Sequence, residues 1–315
     1  MEKNNKILIL GKSGLVGSSL YQNLKDDGYD NILSPSHNEL DLLDFEKVKD
    51  YFYKNNPEFC FLCAAKVGGI KANDDYSADF IWENTVIQSN VIKSAHIYKT
   101  KKLLFLGSSC IYPKEPLMPI KEEYLLTSPL EKTNKGYAIA KINGIVMNQM
   151  FKKQYGDNFI CAMPTNLFGK GDSYGLETSH VFPALIRKVH EAKINNSESI
   201  ILWGTGEPMR EFLFVEDLAE ALIFLMNNYN DSEIINVGTG KDISILDLTK
   251  LMCKIIGYDG KIIFDSSKPN GTMRKVLDVS KINKLGWEAK TSLEEGIKKT
   301  YQYFLKEFDE KKSIN

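Results

Sequence analysis

Four consecutive aliphatic residues, Ile7-Leu-Ile-Leu10, run directly into Gly11-Lys-Ser-Gly14-Leu-Val-Gly17. A short apolar run bounded by glycine reads as a strand buried on both faces. The leucine spacing that follows (Leu15, Leu20, Leu24) reads as an amphipathic helix. A glycine-rich turn between such elements brings backbone N–H groups and the positive end of a helix dipole to one point, where a diphosphate binds. Gly11, Lys12, Ser13, Gly14, Leu15, Val16 and Gly17 are therefore candidate cofactor contacts. Their glycine spacing is three and three, not the stricter G-x-G-x-x-G.

The same alternation recurs along the first half of the chain. Ile32-Leu33 is a second short strand, and Asp44 is placed to cap a helix with Val48, Tyr51 and Phe52 on one face. Phe59–Ala65 and Leu103–Leu106 read as buried strands, with a long helix over Phe80–Tyr98 between them. A helix over Tyr137–Phe151 and a strand over Phe159–Met163 follow. Apolar strands separated by helices predict an α/β fold, a Rossmann-type doubly wound parallel sheet, with ligands beyond the strand C-termini. After Pro164 the pattern loosens. Helices are expected over Val181–Ala192, Glu216–Met226 and Leu293–Phe308, and strands over Ile234–Val237 and Ile262–Phe264 in a smaller C-terminal α/β region. The expected division is residues 1–165 as a dinucleotide domain, with a returning segment near 212–234, and 166–315 mainly as a substrate domain. A length of 315 residues suits two domains of about 150.

Charge and composition narrow the partners. Lys+Arg number 40 against 41 Asp+Glu, a net of -1, which argues against a general nucleic-acid binder. No apolar stretch approaches the roughly 20 residues needed to span a bilayer, so no membrane partner is expected. The N-terminal segment lacks a secretory h-region, and five cysteines, an odd number, fit a reduced cytoplasmic protein better than a disulfide scaffold. Cys60-Phe-Leu-Cys63 has redox or zinc spacing, but it lies in an apolar strand with no second ligand pair nearby. It reads as core, and no metal is expected.

Tyr137-Ala-Ile-Ala-Lys141 puts a phenol and an ammonium on one helical face. A neighbouring Lys⁺ favours phenolate and is expected to lower the Tyr137 pKa toward working pH, suiting a proton donor to a carbonyl oxygen. Ser108, just past Leu103–Leu106, is positioned to hydrogen-bond the same oxygen. After the second strand, Ser34-Pro-Ser-His-Asn38 offers no carboxylate until Glu39. Lys12 and His37 face a ribose 2′-phosphate in this reading, which favours NADP(H); the alternative for His37 is a solvent-exposed loop residue.

The glycine loop with the Ser–Tyr–Lys order resembles the extended short-chain dehydrogenase/reductase family. The flanking segments are similar to its GDP-L-fucose synthase members: Ala64-Ala-Lys-Val-Gly-Gly-Ile70, Leu106-Gly-Ser-Ser-Cys-Ile-Tyr-Pro113, Met163-Pro-Thr-Asn-Leu-Phe-Gly169, Ser179-His-Val181, Pro208-Met-Arg-Glu-Phe212 and Ile235-Asn-Val-Gly-Thr-Gly240. The resemblance runs from the first strand to the final helix. It implies an NADPH-dependent enzyme that epimerises C3 and C5 of GDP-4-keto-6-deoxy-D-mannose and reduces C4. Ser108, Tyr137 and Lys141 are then catalytic, with Cys110 as base and His180 as acid. It adds Asp41, Leu106, Gly107, Ser109, Pro164, Asn166, Leu167 and His180 to the cofactor contacts, with Lys141 also serving there. Asn166, Lys188, Trp203, Arg210 and Asn270 become GDP-sugar contacts, and a homodimer is expected.

Two departures stand out. Arginine found in some relatives near Ser13 and at His37 is missing, and Asn270 stands where aspartate is common, which keeps hydrogen-bonding capacity but removes a charge. Two other readings remain: a C4-reductase of another GDP-4-keto sugar, such as a 6-deoxyheptose, with partial or no epimerisation, and a non-catalytic nucleotide sensor.

Overall fold

The computed structural model describes residues 1–175, 179–267 and 270–313. The chain opens with β1 (Ile7–Leu10), α1 (Leu15–Asp26), β2 (Ile32–Leu33), α2 (Phe45–Asn55) and β3 (Phe59–Leu62). A short α3 (Ile70–Asp75) leads into α4 (Ser77–Ile97) and β4 (Lys102–Leu106). Then come α5 (Lys135–Tyr155), β5 (Phe159–Pro164), β6 (Asn166–Phe168), α6 (Val181–Ile194) and β7 (Ser199–Trp203). The remainder is β8 (Met209–Phe214), α7 (Val215–Asn228), β9 (Ile235–Val237), β10 (Asp242–Ser244), α8 (Ile245–Ile256), β11 (Lys261–Asp265), β12 (Arg274–Lys275), α9 (Ser280–Lys284) and α10 (Leu293–Ser313). Local chemistry sets several ends. The Asp44 carboxylate accepts the Lys47 N–H at 3.2 Å and starts α2, while Gly156 and Gly257, both left-handed, close α5 and α8.

Six strands form an all-parallel sheet in the order β2-β1-β3-β4-β5-β9. Helix α1 packs with α7, and α4 packs with α2 and α5, so both faces are covered. This is the doubly wound Rossmann-type fold. The order reverses at β1, which opens a crevice beyond the C-terminal ends of β1 and β3. Two expectations need correction. The third strand stops at Leu62, not Ala65, because Gly11 turns away at φ +96 and packs its backbone against Ala64. Ile235–Val237 belongs to the main sheet and not to the smaller C-terminal region. It pairs with β5, where Ile235 and Val237 join the first core.

A second group of strands flanks the first: β10-β8-β12 with β6 also on β8, and a separate parallel pair of β7 and β11. Strand β8 runs between two hydrophobic cores. Its Leu213 packs into the core of the main sheet, whereas Phe212 and Phe214 pack with Phe168, Phe182 and Met252 in the second core. Period-2 alternation puts Arg210 on the side of Phe212, and Glu211 on the side of Leu213.

Candidate active site

The C-terminal ends of β1, β3, β4 and β5 open into a cleft of about 2260 Å³, whose other wall comes from α6, β7, β8 and residues 270–275. Gly11 and Gly17 are demanded by the fold. A Cβ on Gly11 would sit 2.7 Å from the Ala64 nitrogen, and one on Gly17 would sit 2.1 Å from the Gly11 carbonyl. Gly14 differs. Its backbone is extended (φ -82, ψ 169), and a Cβ would meet nothing nearer than 3.5 Å. Packing does not require glycine there, and the missing Cβ leaves open space at the start of α1, where a diphosphate could come close. The cradle therefore fits a dinucleotide.

Lys12 and His37 both line this end of the cleft. Lys12 Nζ lies 3.8 Å from the centre of the Tyr21 ring, and His37 is exposed. Glu39, the first carboxylate after β2, is turned back on Ser36, accepting its N–H at 2.7 Å and its hydroxyl at 2.8 Å. Those bonds, with the Lys12 charge nearby, hold its pKa below the ordinary value. Asp41 accepts the Leu43 N–H at 3.0 Å while lining the same wall.

Beyond β4 the chain turns sharply. The Ser108 hydroxyl accepts the Cys110 N–H at 3.2 Å and caps a single 3-10 turn over Ser109–Ile111, which presents Ser108 and Cys110 to the cleft together. Tyr137, on the first turns of α5, faces them. Lys141 lies one turn further in, 3% exposed and off the cleft surface, and donates to the Leu106 carbonyl at 2.8 Å. Its Nζ is 5.7 Å from the centre of the Tyr137 ring. The expected lowering of the phenol pKa is not what this geometry produces. Burial pushes Tyr137 up, with Cys110 adding to the rise and Ser108 opposing it. Burial also draws Lys141 down to about 8. Burial shifts both groups toward the neutral form, yet Lys141 keeps its charge below about pH 8, and a protonated phenol is the form that can donate a proton.

The second wall collects the remaining candidates. His180 occupies the cap position of α6 without a side-chain capping bond and is exposed to the cleft, whose walls desolvate it enough to lower its pKa. Asn166 begins β6 and does not simply follow a strand; its Nδ2 donates to the Glu211 carbonyl at 2.8 Å. Pro164 and Leu167 flank it on the lining, as Leu106, Gly107 and Ser109 flank Ser108. Trp203, at the end of β7, is 57% exposed at the rim, which removes the strand-core reading. Lys188 donates to the Ile201 carbonyl at 2.7 Å and lies 6.0 Å from the Trp203 ring centre. Asn270 spends its Oδ1 on the Thr205 N–H at 2.8 Å, fixing the Gly204–Thr205 turn. Arg210 faces the cleft from β8, is desolvated, and has no carboxylate partner among the described residues. Residues 176–178, between Gly175 and Ser179, lie outside the described residues.

Residues 7–238 match the model of the NAD dependent epimerase/dehydratase family. The chain is 48% identical over 305 residues to GDP-L-fucose synthase 1 of Arabidopsis thaliana, covering 97% of this chain and 94% of that protein. It is 45% identical over 313 residues to GDP-L-fucose synthase of Escherichia coli (strain K12), covering 96% and 98%. The chain belongs to this family, in its GDP-L-fucose synthase branch. Among solved structures, a GDP-mannoheptose C4 reductase from Campylobacter jejuni with NADP bound superimposes with a TM-score of 0.89 at 37% identity, covering 97% of this chain and 99% of that one.

Several cleft-forming residues of this family member carry no readable local signal. Lys275, in an unremarkable Arg-Lys pair, donates to Cys110 Sγ at 3.9 Å, 165 positions away in sequence. Asn236 is fully buried. It accepts the Tyr112 hydroxyl at 2.6 Å and donates to the Ile120 carbonyl at 2.9 Å, tying the segment after Cys110 to β9. The similarity of both segments to relatives was the only available pointer to that link. Cys63 also lines the cleft, but burial pushes its thiol up to about 12 and keeps it protonated.

Proposed function

We propose that this chain converts GDP-4-keto-6-deoxy-D-mannose to GDP-L-fucose by 3,5-epimerisation and NADPH-dependent 4-reduction. The observation that carries the reading is that one cleft is lined both by Ser108 and Tyr137 and by a second pair able to move protons, Cys110 and His180. A plain reductase has no use for the second pair. The C4 carbonyl acidifies the hydrogens at C3 and C5. In this reading the Cys110 sulfur removes a proton from ring carbon, and His180 returns one to the opposite face. Ser108 donates to the carbonyl oxygen as negative charge develops on it. When bound, the reduced nicotinamide supplies hydride to C4. Tyr137 then gives its proton to the C4 oxygen, and Lys141 holds the local charge.

The Gly11–Gly17 turn takes the cofactor diphosphate, and Lys12 with His37 takes the 2′-phosphate. Arg210 grips the GDP diphosphate in a bidentate manner, with Lys188, Trp203, Asn166 and Asn270 around the nucleotide and sugar. Residues 1–165, with the returning stretch near 212–234, carry the cofactor, and 166–315 mainly carry the sugar nucleotide. We also read the protein as a cytoplasmic homodimer. Exposed Ile81 and Trp82 on α4, and Ile139, Val146 and Met150 on α5, support an interface between copies. Light scattering of the purified chain tests it, and a monomer at micromolar concentration rejects it.

Incubation with the keto sugar and NADPH in D₂O, followed by NMR, decides the chemistry. Deuterium at C3 and C5 with NADPH consumption is expected. Tyr137→Phe should cut reduction by about 10²–10⁴ while exchange persists, and Cys110→Ala should stop exchange. Reduction without ring deuterium would reject epimerisation and leave the alternative. That alternative is a C4 reductase of another GDP-keto sugar, which the similarity to the Campylobacter jejuni heptose reductase favours.

A further inference from the structure

Glu211 follows Arg210 on β8 and points away from the cleft into the protein, where it is 0% exposed. No cation pairs with it among the described residues. Backbone amides from two distant segments satisfy it instead. Oε1 accepts the N–H groups of Thr239 at 2.6 Å and Gly240 at 2.8 Å, and Oε2 accepts that of Leu277 at 2.8 Å. A buried carboxylate is tolerated only when its lone pairs are taken up in this way. The approach is so close that a Cβ on Gly238 would sit 2.2 Å from Oε1. Gly238 is therefore glycine to make room for the carboxylate, not to supply an unusual φ.

The two tethered segments lead back to the cleft. Leu277 lies two residues beyond Lys275, which pairs in register with Arg210 across the β8–β12 ladder and donates to Cys110 Sγ. Ladder β8–β12 holds only two registered pairs, too few to be rigid alone. The next fixed points are Glu211, which accepts the Leu277 N–H, and Ile120, which donates to the Val276 carbonyl at 2.8 Å and accepts the Asp278 N–H at 2.8 Å; of the two, only Glu211 lies on β8 beside Arg210. The glycine turn at Gly11–Gly17 has no tie to it. We propose that Glu211 is a positioning residue for the sugar-nucleotide wall, holding Arg210 and Lys275 in place from behind the cleft without touching substrate. This deepens the functional reading above and rests on its assignment of Arg210 to the GDP diphosphate.

Calorimetric titration of the full chain with GDP and, separately, NADPH tests this. Glu211→Gln keeps the size but turns one acceptor into a donor facing an N–H. It is expected to weaken GDP about tenfold and raise KM for the sugar nucleotide, with NADPH affinity within about twofold of wild type. Gly238→Ala, which displaces the carboxylate without changing it, should give the same selective loss and carries the test if Glu211→Gln does not fold. Unchanged GDP affinity in either folded variant, or equal loss of GDP and NADPH, overturns the proposal. Wild-type protein that binds NADPH but no GDP overturns instead the assignment on which the proposal rests.

Discussion

The two walls of the cleft are built by different means. On the phosphate side the proposed binding is done by the backbone. One seven-residue stretch supplies the turn, and steric exclusion dictates two of its three glycines. On the opposite wall the proposed binding is done by side chains, and several of them are held by a bond from elsewhere in the chain: Lys188 by Ile201, Asn270 by Thr205 and Asn166 by Glu211, itself tethered from behind. A backbone site therefore survives as a contiguous pattern, whereas a side-chain site depends on how remote segments are packed.

The sharpest test of this contrast lies inside the glycine turn. Gly17→Ala forces a Cβ against the Gly11 carbonyl, a contact with rigid backbone, and should cost at least about 3 kcal/mol of stability, a Tm loss of roughly 4 °C or more by differential scanning calorimetry. Gly14→Ala should stay within about 1 kcal/mol of wild type, yet weaken NADPH about 10–100-fold by titration, because its Cβ occupies only space the diphosphate needs. If both variants behaved alike, the distinction between a glycine kept for the fold and one kept for a ligand would fail.

Legibility in the sequence follows the same line. Strand-then-glycine punctuation revealed the sheet, and Tyr137 with Lys141 was readable because helical spacing alone sets their relation. Strand Ile235–Val237 was misassigned because two aliphatic residues around Asn236 carry nothing that says which sheet they join; the pairing with β5 is a tertiary fact. The pKa of Tyr137 went the other way from expectation because spacing shows the neighbouring charge but not the loss of water around both groups. Lys275 and Glu211 were invisible as site residues. Their partners lie 165 and 66 positions away, and no local pattern encodes such distances.

On the side-chain wall the effects should be smaller and confined to one ligand. Arg210→Lys keeps the charge but loses the planar fork, so GDP affinity should fall about tenfold while NADPH binding and Tm stay near wild type. A comparable loss for NADPH would mean that the two walls are not energetically separate. Fluorescence titration with each nucleotide reads both at once.

Lys141 lies behind Tyr137, off the cleft surface, and should give the mildest effect, one of pH. Burial lowers its pKa to about 8, so its ammonium is present below that value and lost above it. The sign is therefore fixed: kcat/KM for reduction falls as pH rises, reaching about half near pH 8 and about a quarter half a unit higher in the free enzyme. Exchange of ring protons into D₂O, which this reading assigns to Cys110 and His180, should not share that midpoint. A reductive profile flat from pH 7 to 9 would mean that the Lys141 charge is not used. An exchange profile falling with the same midpoint would mean that both half-reactions depend on it, and that the chemistry is less divided between the two pairs than the geometry suggests.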